Sequence, residues 1–157
     1  MKTVTLNSIS DIEEHIEDIT YAAEQAQLRI TEMSENTQAM NSMGRLKFEK
    51  MGYDPLNSER DLNSIEQLSQ TFTYLASIKA AEFLFTKHPE ISSLTLNLGT
   101  AHGSDLETND CVGIAAEVFA ATKPSSNDRL KKDIKKVPKT DAKYKYSFFM
   151  CPSIESG

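Results

Sequence analysis

The residue whose type and position most strongly suggest chemistry is Glu117. It lies in a run of small and apolar residues from 112 to 122 that predicts a strand buried on both faces. A carboxylate in the middle of such a strand is costly unless it is paired or binds a cation. A second acid, Asp105, stands just after the turn predicted at residues 99–103, where a short return strand begins. These two acids are the first candidates for a functional site.

A basic segment follows Glu117. Residues 123–145 contain nine Lys and Arg against three Asp, a net charge of +6, whereas residues 1–122 contain eight Lys and Arg against nineteen Asp and Glu, a net charge of −11. The apolar spacing within this segment predicts a helix over about 126–137. Its basic face could follow the phosphates of a nucleic acid. A solvated face of a lysine-rich helix would give the same pattern.

The N-terminal third has the period of an amphipathic helix. Apolar residues recur at alternating spacings of three and four from Ile9 to Met40. We predict a coiled-coil-like helix from about Asp11 to about Met40, whose narrow apolar stripe pairs with a second copy of the chain or with the next helix. Residues 52–60 are predicted to form a polar hinge, and residues 62–86 a second helix.

Three stretches of the second half predict strands. Residues 94–98 alternate between apolar and polar, residues 112–122 are almost continuously apolar, and residues 144–150 are rich in aromatic side chains. We expect these strands to lie in one mixed sheet, with the helices at 62–86 and 126–137 packed on it.

The predicted elements follow the order helix, strand, short strand, strand, helix, strand. Asp105 stands before one strand and Glu117 inside the next. This arrangement resembles the core of the restriction-endonuclease-like nucleases, the PD-(D/E)XK superfamily. The resemblance covers about residues 61–150 and implies an α/β core there. Together with the helical period of the N-terminal third, it predicts a helical arm, residues 1–52, followed by a nuclease-like core, residues 53–157. It also implies that Asp105 and Glu117 hold a divalent cation, Mg²⁺ or Mn²⁺, since hard oxygen ligands suit these ions.

One signature position departs from the family. Members of the superfamily carry a Lys two residues after the second acid, and that position is Phe119 here. A phenyl ring cannot orient a water molecule or stabilise negative charge. A lysine from the strand end or the following helix could take its place. The candidates are Lys123, Lys131, Lys132 and Lys135. Glu66 and Glu82 are further possible ligands but have the spacing of surface residues.

Two functions remain open at this point. One is a metal-dependent nuclease, or a degenerate relative that binds nucleic acid through residues 123–145 without cutting it. The other is a non-enzymatic protein that forms homodimers through its N-terminal helix. His15 and His88 are isolated in the sequence, with no nucleophile near either, and Tyr146 is interpreted as a strand residue.

The sequence predicts no association with a membrane. Its longest apolar run falls short of the roughly 18 residues that a membrane span needs, and residues 1–10 lack the apolar segment of a secretory signal. Cys111 and Cys151 lie far apart, as expected for two reduced thiols of a cytoplasmic protein.

Overall fold

The fold is mixed α/β in a computed structural model of the chain, which describes residues 3–35, 38–98, 103–108, 110, 112–121, 135 and 140–151. Within these residues the elements follow one another as β1 (Thr3–Leu6), α1 (Ile9–Ser34), α2 (Ala39–Phe48), β2 (Gly52–Asp54), β3 (Asn57–Leu62), α3 (Ser64–Lys87), β4 (Leu94–Asn97), β5 (Leu106–Glu107), β6 (Ile114–Ala120) and β7 (Tyr144–Met150). The helix predicted at 126–137 lies outside the described residues, apart from position 135.

The chain divides into two compact units. One unit comprises Met1–Ile12 and Ala76–Gly157, and the other comprises Glu13–Leu75. The first unit contains a five-stranded sheet in the order β1-β4-β5-β6-β7, and the second contains the two-stranded β2-β3 sheet. None of the helices within the described residues is long and apolar enough to span a membrane.

The five-stranded sheet is mixed, as predicted. Neighbouring strands from β1 to β6 are antiparallel, and β6 and β7 are parallel. Residues paired across strands share a face of the sheet, and the face alternates along each strand. One face is apolar and buried, and its residues are Leu6, Leu94, Leu96, Leu106, Ile114, Ala116 and Val118. Glu117 belongs to the opposite face, together with Thr95 and Glu107.

Helix α3 begins at a reciprocal cap. The Asn63 side chain accepts hydrogen bonds from the amides of Ile65 at 3.0 Å and Glu66 at 2.9 Å, while Glu66 accepts one from the Asn63 amide at 3.0 Å. Such a capping box satisfies amides that have no partner inside the helix. The helix ends at Lys87, before His88-Pro89, because the residue before a proline disfavours the helical conformation.

Two sequence-based expectations for the N-terminal half are wrong, and one strand was not expected. The helix predicted to reach Met40 ends at Ser34, and α2 follows it as a separate helix. The predicted hinge at 52–60 is instead the β2-β3 hairpin, in which the Asp54 carboxylate accepts a hydrogen bond from the Leu56 amide at 3.0 Å and closes the turn. The strand β1 was not expected, because four residues are too few to give a periodic signal.

The apolar stripe of α1 is buried within a single chain. Ile12, Ile19, Ala26 and Met33 are each less than 10% exposed. In the Glu13–Leu75 unit, Ala26 and Met33 form a core cluster with Met51. The alternative that the stripe pairs with the next helix is therefore supported for this part of the stripe, because Leu46 of α2 packs against the cluster. A homodimer remains a prediction without structural support.

Candidate functional site

Glu117 occupies the position that the sequence predicts. It lies in the middle of β6, between β5 and β7, and is only 3% exposed. Its direct neighbour on β7 is Ser147. The neighbouring positions Ala116 and Val118 turn to the apolar face of the sheet, so the Glu117 carboxylate points to the other face. Burial makes the charge costly, and a buried carboxylate therefore requires compensation.

Asp105 is fixed beside Glu117 by two hydrogen bonds. Its Oδ2 atom accepts a bond from the Val118 amide at 2.8 Å, and its backbone carbonyl accepts one from the Asn97 amide at 2.9 Å. The pairing of Leu106 with Ala116, continued by one residue, places Asp105 opposite Glu117. The structure thus brings the two predicted acids to adjacent strands and to the same face.

Asp105 lies just beyond the last paired residue of β5, where its side chain takes the place of a backbone acceptor. In a regular ladder a backbone carbonyl of β5 would accept the bond from Val118. The Asp105 carboxylate accepts this hydrogen bond instead, and one of its two oxygen atoms is thereby engaged. This local role is structural, and it also gives the carboxylate a defined direction.

A third acid on this face is already engaged. Glu107 pairs with Thr95 and Ala115, and its Oε1 atom accepts a hydrogen bond from the Asn97 side chain at 2.9 Å. Gly103, with φ of +108°, lies close enough that an added Cβ would approach both carboxylate oxygens of Glu107 at 2.9 Å. The side-chain amide of Asn97 therefore helps to satisfy the Glu107 carboxylate.

The residue at the missing lysine position is close to another aromatic residue. Phe119 is half-buried and pairs in register with Phe149, which is 41% exposed. Of the predicted replacement lysines, Lys123, Lys131 and Lys132 lie outside the described residues, and Lys135 is described only as an exposed position. Sequence reasoning missed Lys145, an exposed residue that pairs with Ala115 and so shares the face of Glu117.

A magnesium ion at this site would have to be held by two carboxylates. The described part of the chain holds no group of three or more His, Cys, Asp or Glu side chains arranged to bind a metal. Magnesium is often held by one or two carboxylates together with water and substrate phosphates. Asp105 and Glu117 are the two residues that would supply them here.

A second cluster of chemically active side chains was not predicted. His88 is 6% exposed, its Nε2 atom lies 2.7 Å from the Tyr146 hydroxyl, and its Nδ1 atom lies 3.3 Å from Glu90 Oε1. His88 and Tyr146 are 58 positions apart, and so sequence proximity gives no signal for their contact. Tyr146 pairs with Ala116, which places this cluster on the sheet face opposite Glu117.

The Glu13–Leu75 unit contains a polar cleft of about 620 Å³ that includes Tyr21, Gln25 and Asp61 in its lining. The cations along it are paired with acids. Arg45 lies 3.2 Å from Glu49, and Arg29 lies 3.4 Å from Glu32. The charges compensate one another, and the cleft has no nucleophile beside a base.

Comparisons of the chain with protein-family models, with curated proteins and with solved structures gave no match. The function is therefore argued from the residues themselves.

Proposed function

We propose that this protein is a metal-dependent phosphodiesterase that acts on nucleic acid, or a relative of such enzymes that binds nucleic acid without cutting it. The observation that carries the proposal is the hydrogen bond between Asp105 and Val118. This bond holds one acid beside a second acid, Glu117, whose side chain is only 3% exposed.

Asp105 and Glu117 are the residues that would hold the cation, Mg²⁺ or Mn²⁺. When bound, such an ion polarises a phosphodiester and lowers the pKa of a coordinated water. Both side chains have defined positions from which they would hold the ion, since Asp105 is held by the Val118 amide and Glu117 lies in the middle of β6.

A positively charged side chain is still required to compensate the negative charge of the substrate. Lys145 is a candidate because it is exposed on the same face, one strand away from Glu117. Its long side chain can carry an ammonium over several ångströms. Lys123 and Lys131 remain predictions for this role. The net charge of +6 over residues 123–145 supports an approach of polyanions to this part of the chain.

The test is cleavage of plasmid, linear duplex and single-stranded substrates in the presence of Mg²⁺ or Mn²⁺. We expect Glu117→Gln and Asp105→Asn to abolish cleavage. The asparagine retains an acceptor for the Val118 amide, so the fold should persist. Glu82→Gln is the matched control, because Glu82 is an exposed acid in the same unit whose partner is Lys79 at 2.8 Å.

Two outcomes would count against the proposal. If cleavage survives in Glu117→Gln, the acids are structural. If the wild-type protein neither cuts nor shows salt-dependent binding of any substrate, both versions of the proposal fail. The interaction-protein alternative would then be favoured. That alternative is a homo-oligomer formed through the N-terminal helical segment.

A further inference from the structure

Tyr146, His88 and Glu90 form a cluster with the geometry of a nucleophile, its base and an acid that orients the base. The Tyr146 hydroxyl is in direct hydrogen-bonding contact with His88 Nε2 at 2.7 Å, and Glu90 contacts the other ring nitrogen at 3.3 Å. In nucleophilic catalysis, an activated hydroxyl is recognised by a base within hydrogen-bonding distance whose ring is held by a third group.

The direction of each hydrogen bond follows from charge. A hydrogen bond from its own backbone amide, together with His88 and Lys143, lowers the pKa of Glu90, so that its carboxylate is ionised and can only accept. The Nδ1 atom of His88 must then carry the proton. In the neutral ring Nε2 is therefore an acceptor, and the Tyr146 hydroxyl donates to it. This is the arrangement that a general base needs.

Tyr146 stays protonated until the base acts. Burial, with Tyr144 and Glu90 as lesser contributors, raises the pKa of Tyr146. A free phenolate is therefore scarce at neutral pH, and proton transfer to His88 during attack is the route by which the oxygen becomes nucleophilic.

The surroundings indicate an anionic substrate with an apolar group. The Lys87 ammonium lies 5.6 Å from the centre of the Tyr146 ring, and that of Lys143 lies 4.8 Å from the centre of the Tyr144 ring. An apolar groove of about 200 Å³ is lined by residues that include Ala76, Ala80, Phe83, Phe148 and Met150. Phe148 also stacks on the Tyr146 ring with ring centres 5.7 Å apart, so the groove and the cluster share a neighbouring aromatic residue.

We propose that Tyr146 is a nucleophile toward aryl phosphate esters, with His88 as its general base and Glu90 as the residue that orients His88. The Tyr146 oxygen forms a bond to phosphorus, and the bond from phosphorus to the aryl oxygen breaks to release the aryl oxide. The tyrosine proton passes to His88 Nε2. Water then attacks the phosphotyrosine, inorganic phosphate leaves, and His88 returns the proton to Tyr146.

This activity is independent of the proposed metal site, since the two sites occupy opposite faces of the sheet and the second requires no cation. The experiment therefore uses the full chain with p-nitrophenyl phosphate in excess EDTA, which removes any metal-dependent reaction. We expect a burst of p-nitrophenolate and, after rapid acid quenching, a phosphoryl adduct on the peptide that contains Tyr146.

The variants separate a catalytic role from a structural one. Tyr146→Phe removes one oxygen atom and should eliminate both burst and adduct. His88→Gln should reduce the rate of adduct formation at least tenfold, and Glu90→Gln should reduce it while shifting its pH profile. Tyr21→Phe, which changes an exposed tyrosine in the other unit, should behave as the wild type.

The proposal is overturned if the wild type gives no adduct at Tyr146 over a range of pH values. It is also overturned if His88→Gln, with a native circular dichroism spectrum, forms the adduct at the wild-type rate. A fall in melting temperature for the His88 and Glu90 variants, without a change in adduct formation, would assign the cluster a purely structural role.

Discussion

Asp105 Oδ2 accepts a hydrogen bond from the backbone amide of Val118 at 2.8 Å, and so the Asp105 carboxylate is held next to the residue that follows Glu117. Glu117 is itself only 3% exposed, so removing its carboxylate from water has a cost. A cation shared by Asp105 and Glu117, as proposed above, would offset part of that cost.

Metal binding should be visible in the thermal stability. A ligand that binds only the folded state at a hundred times its Kd stabilises that state by about 2.7 kcal/mol, so Mn²⁺ or Mg²⁺ should raise the wild-type Tm by several degrees. Glu117→Gln should remove this shift and leave the metal-free protein as stable or more stable, since a buried charge is lost. Glu82→Gln should keep the shift. Equal shifts in both variants would show that the ion binds elsewhere.

Restoring the signature residue should restore or raise activity. Phe119→Lys places an ammonium two residues after Glu117, on the same face. If the nuclease proposal holds, metal-dependent cleavage should rise by about a hundredfold, the scale of one positioned catalytic group. Phe149→Lys is the control, because it adds the same charge at the paired position on β7. A similar gain in both variants would mean that the charge acts only through general attraction of the substrate.

A side chain at Gly52 should destabilise the fold. A Cβ atom added there would lie 2.3 Å from Gln67 Oε1, and Gln67 is only 3% exposed. We expect Gly52→Ala to cost about 1–3 kcal/mol in the free energy of unfolding, as overpacking does. Gly44→Ala, with nothing within 4 Å of the added Cβ, should be neutral or stabilise α2 by about 0.5–1 kcal/mol.

Urea unfolding of the two glycine variants measures this difference. The cost of Gly52→Ala should shrink when Gln67→Ala is added, because the second change removes the atoms that collide. If Gly52→Ala is no less stable than Gly44→Ala, the close approach of Gly52 to Gln67 is incorrect.

Tyr74 should make the stability depend on pH in alkaline solution. Its hydroxyl donates to the buried Asp54 carboxylate at 3.0 Å, and burial together with that carboxylate raises the pKa of Tyr74 above its usual value of about 10. The folded state keeps the proton that the unfolded state loses. The contribution of Tyr74 to the free energy of unfolding is thus complete below about pH 10. Above that pH it declines by up to about 1.4 kcal/mol per pH unit.

Tyr74→Phe provides the comparison. At neutral pH it should lower the free energy of unfolding by about 1–3 kcal/mol, since Asp54 loses a hydrogen-bond donor and stays buried. Between about pH 10 and 11 the difference in the free energy of unfolding between the wild type and Tyr74→Phe should narrow. A constant gap across this range would contradict the raised pKa.

The strands and helices with strong periodicity were predictable from the sequence. The strand expected at 144–150 is Tyr144–Met150, the strand expected at 112–122 is Ile114–Ala120, and the helix expected at 62–86 is Ser64–Lys87. The helix shows a period of 3.6 in its apolar residues, and the strand at 114–120, buried on both faces over most of its length, shows a nearly continuous apolar run. The β2-β3 hairpin was missed because short paired strands depend on their partners more than on their own pattern.

The sequence by itself determined that Glu117 lies inside a buried strand and that Phe119 stands two residues after it. Only the tertiary structure decided that Asp105 reaches the Val118 amide, and that His88 meets Tyr146 from 58 positions away. The physical reason is that the burial of a strand can be predicted from the apolar pattern of its own residues. Contacts across a sheet instead depend on which strands pair and in what register, and these are set by the packing of the whole unit.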